Sequence, residues 1–153
     1  MAAATTFNSW CVQSQRILRG ELSAPSSSGF RLLLCNGGVD RTSTMNEIAD
    51  AEVSGNGYSR QALDFAGAGT VEYSNTTRRA DIPALSVTVT ASGGAIEFDT
   101  LVVVADSNNT VGGTTGEPVF FVVLNSQSIA DGVAQPIIIQ GWGSANIGSN
   151  RGV

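Results

Sequence analysis

The chain has 153 residues, of which 42% are apolar and only 14% charged, and its net charge is −5. One domain of this length can bury roughly 70% of its unfolded surface, and a chain so apolar is not disordered. All eight basic residues are arginine and they are scattered, apart from the doublet Arg78-Arg79. No basic patch exists to displace counterions from nucleic-acid phosphates.

Histidine and lysine are both absent. Without histidine the chain lacks the commonest general base, the commonest metal ligand and the usual partner of a nucleophilic serine or cysteine. Without lysine it has no Schiff-base chemistry and no phosphate-loop cation. The expectation is a protein that is not an enzyme and holds no cofactor or metal. Its surface is rich in uncharged Ser, Thr, Asn and Gly, which suits packing against other subunits and equally suits a soluble β protein with many turns.

The opening residues, MAAATTFNSW, carry no positive region and no long apolar run, so neither a secretory signal nor a membrane span is expected. Residues 9–22 place Trp10, Cys11, Ser14, Ile17, Leu18 and Leu22 near helical spacing, with Gly20 at the end; a bulged strand is the alternative. SAPSSSG is a loop, so residues 1–28 form an N-terminal helix and connector. Phe30 to Cys35 is a short apolar run stopped by Asn-Gly-Gly, which predicts a buried strand. Thr44 and Glu47 have capping-box spacing, with Met45, Ile48 and Ala49 as the apolar face of a short helix. Cys11 and Cys35 form no metal or redox motif. Both are expected as buried free thiols, with a disulfide between them as the alternative.

The stretch SGNGYSRQALDF lacks the lysine of a phosphate loop and the third glycine of a dinucleotide loop. Glycine and asparagine accept positive φ at low cost, so the expectation is a turn leading into a strand. SVTVTAS alternates strictly, with Leu85, Val87 and Val89 on one face, as a half-buried antiparallel strand does. SGG is a turn. AIEFDTLVVVAD predicts one or two strands and PVFFVVLN and AQPIIIQGW one each, with SIADG as a short stretch and a turn and SNNTVGGTTGEP, residues 107–118, as a long polar loop. The predicted fold is mainly β, an antiparallel sandwich or barrel-like domain over residues 1–153, with one or two short helices near the N-terminus. The glycine-rich residues 141–153 are expected as a flexible or subunit-contacting arm.

Each candidate for chemistry has a plainer alternative. Asp106-Ser-Asn-Asn-Thr groups oxygen ligands without the spacing of a calcium loop, and a turn suits it better. Glu97 and Asp99 could form a glycosidase carboxylate pair, but no sugar cleft surrounds them in the sequence, and charges on an edge strand are the better reading. Asn75-Thr76-Thr77 and Asn108-Asn109-Thr110 match the glycosylation pattern, which without export carries little weight. Trp142 is a stacking platform for sugar or, more simply, a residue under a subunit contact.

The order of SWCVQSQRILRGELS, FRLLLCNGG, AEVSGNGYSRQALDF and AIEFDTLVVVADSNN resembles that of small tailed-bacteriophage virion proteins of the tail-fibre-like kind. Glu52, Val53, Ser54, Gly55, Gly57, Tyr58, Arg60 and Gln61 match that family's E-V-S-G-x-G-Y-x-R-Q segment. The resemblance runs from about Ser9 to Asn109 and weakens over PVFFVVLN, AQPIIIQGW and the tail. It implies a β-rich structural subunit of a virion, on head or tail, assembled in the host cytoplasm. Joined with the size, acidity and uncharged polar surface, it gives a capsid decoration or cement subunit as the leading expectation. A tail-fibre or adhesin module binding host carbohydrate is the alternative. Expected partners are the major capsid protein or tail proteins and further copies of the chain, as a trimer or dimer, with no nucleic acid and no membrane. Phe7, Trp10, Trp142 and Ile147 are the candidate contact residues, with a core position as the stronger alternative for Trp10.

Overall fold

The computed structural model describes residues 4–65, 72–74, 79–81, 85–105 and 116–139. The elements in chain order are β1 (Thr5–Thr6), α1 (Asn8–Leu18), β2 (Phe30–Cys35), α2 (Met45–Ala51), β3 (Gln61–Leu63), β4 (Glu72–Ser74), β5 (Arg79–Asp81), β6 (Leu85–Thr90), β7 (Ile96–Ala105), β8 (Glu117–Ile129) and β9 (Ala134–Ile139). The protein is mainly β with antiparallel sheets, and among the described residues it is sandwich-like rather than a closed barrel. Five strands form one sheet in the order β1-β8-β7-β2-β3; β6 pairs with β9, and β4 with β5.

The five-stranded sheet is covered on both faces, which is why its central strands are continuous apolar runs rather than alternating ones. In β2, Leu32 and Leu34 face one side and Leu33 and Cys35 the other, and all four are buried. The first side packs on Val89, Ile137 and Ile139 of the β6–β9 pair, and this is the larger core cluster. The second side packs on Phe7 at the entry to α1 and on Ile48 of α2. Each large apolar side chain buried this way contributes about 1.5–3 kcal/mol against an exposed one.

An irregularity between β7 and β8 keeps this pattern consistent. Phe98 pairs with Gln127 but Thr100 with Val123, so Asp99 alone stands opposite three residues of β8. A bulge changes which parity faces inward. Ile96 and Phe98 enter the larger cluster before it, and Leu101, Val103 and Ala105 after it.

Several sequence expectations meet corrections here. α1 ends at Leu18, and Leu22 lies in the following connector. Ala49 is exposed, and Ala51 packs against the core in its place. β8 continues past Asn125 through Ser126-Gln-Ser-Ile129, where the predicted strand ends at Asn125 and a short stretch and turn are expected from Ser128. The short β1, β4 and β5 carry too few residues to show a period. Cys35 is buried, but Cys11 is exposed, and both are free thiols. Phe7, expected at a subunit contact, is fully buried, because its N–H bonds the Val119 carbonyl and its ring packs on Phe121 at 4.9 Å. Glu97 and Asp99 are not on an edge strand: β7 is interior to the sheet, between β8 and β2.

Candidate functional site

The turn singled out by the sequence lies in residues 52–60. Gly55, Asn56 and Gly57 all have positive φ, at 79°, 50° and 75°, and the Tyr58 N–H closes the turn on the Gly55 carbonyl at 2.9 Å. The predicted turn feeding a strand is present, with β3 following at Gln61. Gly57 is required on two counts: a side chain there would be strained, and its Cβ would lie 3.1 Å from that of Ser92. Ser92 donates its N–H to the Asn56 carbonyl, and the Asn56 amide donates to the Ala95 carbonyl at 2.6 Å. The turn is therefore seated on the turn between β6 and β7.

The charged and phenolic residues of the segment fasten it to β2. The Tyr58 hydroxyl donates to Glu52 Oε1 at 2.7 Å and accepts the Leu34 N–H at 3.1 Å. Arg60 donates from Nε and Nη2 to the same carboxylate, with the closest approach 2.6 Å. This fork-on-fork geometry holds both partners in plane. Burial, and then the neighbouring Glu52, push the Tyr58 hydroxyl far above the ordinary phenol range. The Cys35 thiol is pushed up to about 12 by burial, with Glu52 adding to the effect. A thiol and a phenol so placed keep their protons near neutral pH, and the Tyr58 and Arg60 bonds to Glu52 and to the Leu34 amide fasten the segment to β2.

Two concavities lie near these elements. A polar cavity of about 440 Å³ is lined by Asn36, Asp50, Glu52, Asn56 and Glu97 among others, and no aromatic side chain lines it. Asp99 is engaged elsewhere: its Oδ1 accepts the Gly37 N–H and the Thr100 hydroxyl, both at 2.8 Å. Its carboxylate holds the Asn-Gly-Gly turn after β2. Among the described residues, no group of three or more carboxylates or thiols is placed to hold a metal ion.

The second concavity is apolar. Where β8 and β9 diverge from the turn at Asp131-Gly132, an open groove of about 300 Å³ runs between the two sheets. Val122, Leu124, Leu101, Phe120, Ile137 and Ile139 line it. Val123 and Ile138, on the two strands beside it, are 54% and 56% exposed. Sequence reasoning missed this surface. The available signal was the unbroken Ile137-Ile138-Ile139 run, whose first and third residues are buried toward the other sheet while the middle one is left exposed on β9.

Of the candidate contact residues, Trp10 is half-buried and packs against both core clusters. Trp142 and Ile147 lie outside the described residues, as do Asp106 to Thr110 and Asn75 to Thr77. No family model, curated protein or solved structure matches this chain.

Proposed function

We propose that this chain is a structural protein of a tailed-bacteriophage particle, a decoration or cement subunit that acts through protein–protein contact. The observation that carries the reading is the apolar groove between β8 and β9, with exposed Val123 and Ile138 on the same two strands. Exposed apolar surface of this kind marks interaction sites, and its removal from water stabilises an assembly by roughly 25 cal/mol per Å² before the costs of association. On a symmetric shell, many copies multiply a modest contact. The segment from Glu52 to Gln61, on which the family resemblance rests, supports the reading in a second way: its conspicuous residues build a rigid scaffold.

The test is copy number in purified particles, by quantitative mass spectrometry against the major shell protein. A number comparable with the shell protein is the expected result. A number at the level of tail components favours the adhesin reading, for which the polar cavity at Asn36, Asp50 and Asn56 is the place to bind a sugar and a glycan array the next assay. Absence from particles overturns both.

A further inference from the structure

The five-stranded sheet is finished differently at its two ends. At one end β3 is short and β6 runs beside it. At the other, β1 covers β8 only at Phe120 and Phe121, and the Phe7 N–H adds one bond to Val119. From Val122 to Ile129, the outer side of β8 has no strand partner among the described residues. Edge strands normally carry a charge, a proline or a short length that repels a neighbour. β9 has such a device in Pro136, which cannot donate to another strand. The β8 segment, VVLNSQSI, has no charge, proline or glycine, and its one edge-blunting device is the bulge opposite Asp99.

We infer that a second copy of this chain pairs along this edge, β8 antiparallel to β8 across a twofold axis between Asn125 and Ser126. The row of outward amides and carbonyls calls for an extended backbone. Charge says whose. In a chain with thirteen acidic residues and a net charge of −5, most self-contacts bring acids toward their own copies. This edge holds none, so a like strand meets no like charge. The bulge opposite Asp99 fits the same symmetry. It interrupts the pairing of β8 between Val123 and Gln127, and Phe120–Val123 and Gln127–Ile129 on either side pair regularly with β7. A twofold axis sets one interruption against the other and aligns the regular stretches, Val122 with Ile129 and Val123 with Ser128. The pairing lengthens the sheet, brings Val122 and Leu124 of the second copy to the mouth of the groove, and covers the half-exposed Val123.

The purified chain alone tests this, so its outcome is separate from that of the virion reading. Sedimentation velocity is expected to show a dimer that dissociates on dilution from about 100 µM. Val123→Lys weakens the dimer by about tenfold or more, and at dilutions where the wild type is dissociated it leaves the thermal midpoint unchanged, because the side chain is already exposed in the monomer. Val12→Lys, on the exposed face of α1, leaves dimerisation unchanged. Mixing Val123→Lys with Ser128→Glu restores a mixed dimer, since the two positions face each other in the proposed register. Should Val123→Lys fail to fold, Ser128→Lys at the exposed facing position takes its place. A wild-type chain that stays monomeric at the highest concentration, a dimer untouched by Val123→Lys, loss of the dimer in Val12→Lys, or mixing without rescue each overturns the proposal.

Discussion

Helices α1 and α2 adjoin the same face of the five-stranded sheet and are held there by opposite means. α2 is specified locally. The Thr44 hydroxyl accepts the Glu47 N–H while the Glu47 carboxylate accepts the Thr44 N–H, and Ile48 is fully buried. α1 has no side-chain cap, no acid in its first turn and no buried residue; Val12 and Leu18 are 58% and 87% exposed. What fixes it lies just outside it. Phe7 is locked between Val119 and Phe121, and the carboxylate of Glu117 at the start of β8 is hydrogen-bonded to Ser9. One helix would be recognisable in isolation, and the other exists because the sheet holds its first turn.

The contrast can be broken at several strengths. Phe7→Ala is expected to cost about 3–5 kcal/mol in chemical denaturation. It should also detach α1, so that amide hydrogen exchange accelerates over Asn8–Leu18 while α2 stays protected. Ile48→Ala should cost about 2–5 kcal/mol, with exchange accelerated in α2 instead. Equal acceleration in both helices for either variant would show them to be one cooperative unit. Thr44→Ala removes one half of the capping box and should cost about 1 kcal/mol, read as a lower thermal midpoint.

A pH series separates the two anchors further. Burial raises the Glu117 carboxyl above its ordinary value near 4.5, so the folded chain keeps this proton where the unfolded chain has lost it. The resulting stability is present below the ordinary carboxylate range and is lost as pH rises through the raised value. Glu117→Gln should therefore flatten the decline in stability from about pH 4.5 upward. Asp40 and Glu47 act in the opposite sense, since hydrogen bonds from Thr42 and Thr44 respectively lower their values. Both remain in the variant and cancel in the difference. Smallest of all, Leu18→Ser should change stability by less than about 0.5 kcal/mol, because the side chain touches little that it would lose.

Much of this was legible in the sequence wherever a short-range rule decided the structure. The capping box at Thr44 and Glu47, the alternation of Leu85, Val87 and Val89, and the Gly-Asn-Gly turn each follow from local chemistry, and each stands as expected. Phe7 failed because nothing nearby in sequence tells a buried phenylalanine from an exposed one; Val119 and Phe121 do that from the far end of the chain. The full length of β8 was hidden for a similar reason. Ser126-Gln-Ser has the composition of a loop, and the pairing of Gln127 to Ile129 with Ile96 to Phe98 carries the strand through it. The groove was invisible because it is a property of two sheets that part, and no single segment carries it. The Glu52–Tyr58–Arg60 fastener was partly legible: its residues were singled out as a motif, but its partner, the Leu34 amide, was not.

The place of β7 in the sheet has a consequence for the order of assembly. It meets β8 as its next neighbour in the chain, whereas β2, its other neighbour, joins it only when Phe30 reaches Ala105 and Cys35 reaches Thr100. Closing the short loop costs less entropy than closing the long one. The β7–β8 hairpin is therefore expected to form before β2 docks on it, which φ-value analysis at Val103 and Leu33 would check. Folding governed by such distant pairings runs in roughly milliseconds to seconds. On a ribosome, β8 emerges late, and until β7 and β8 are out β2 has only β3 to pair with.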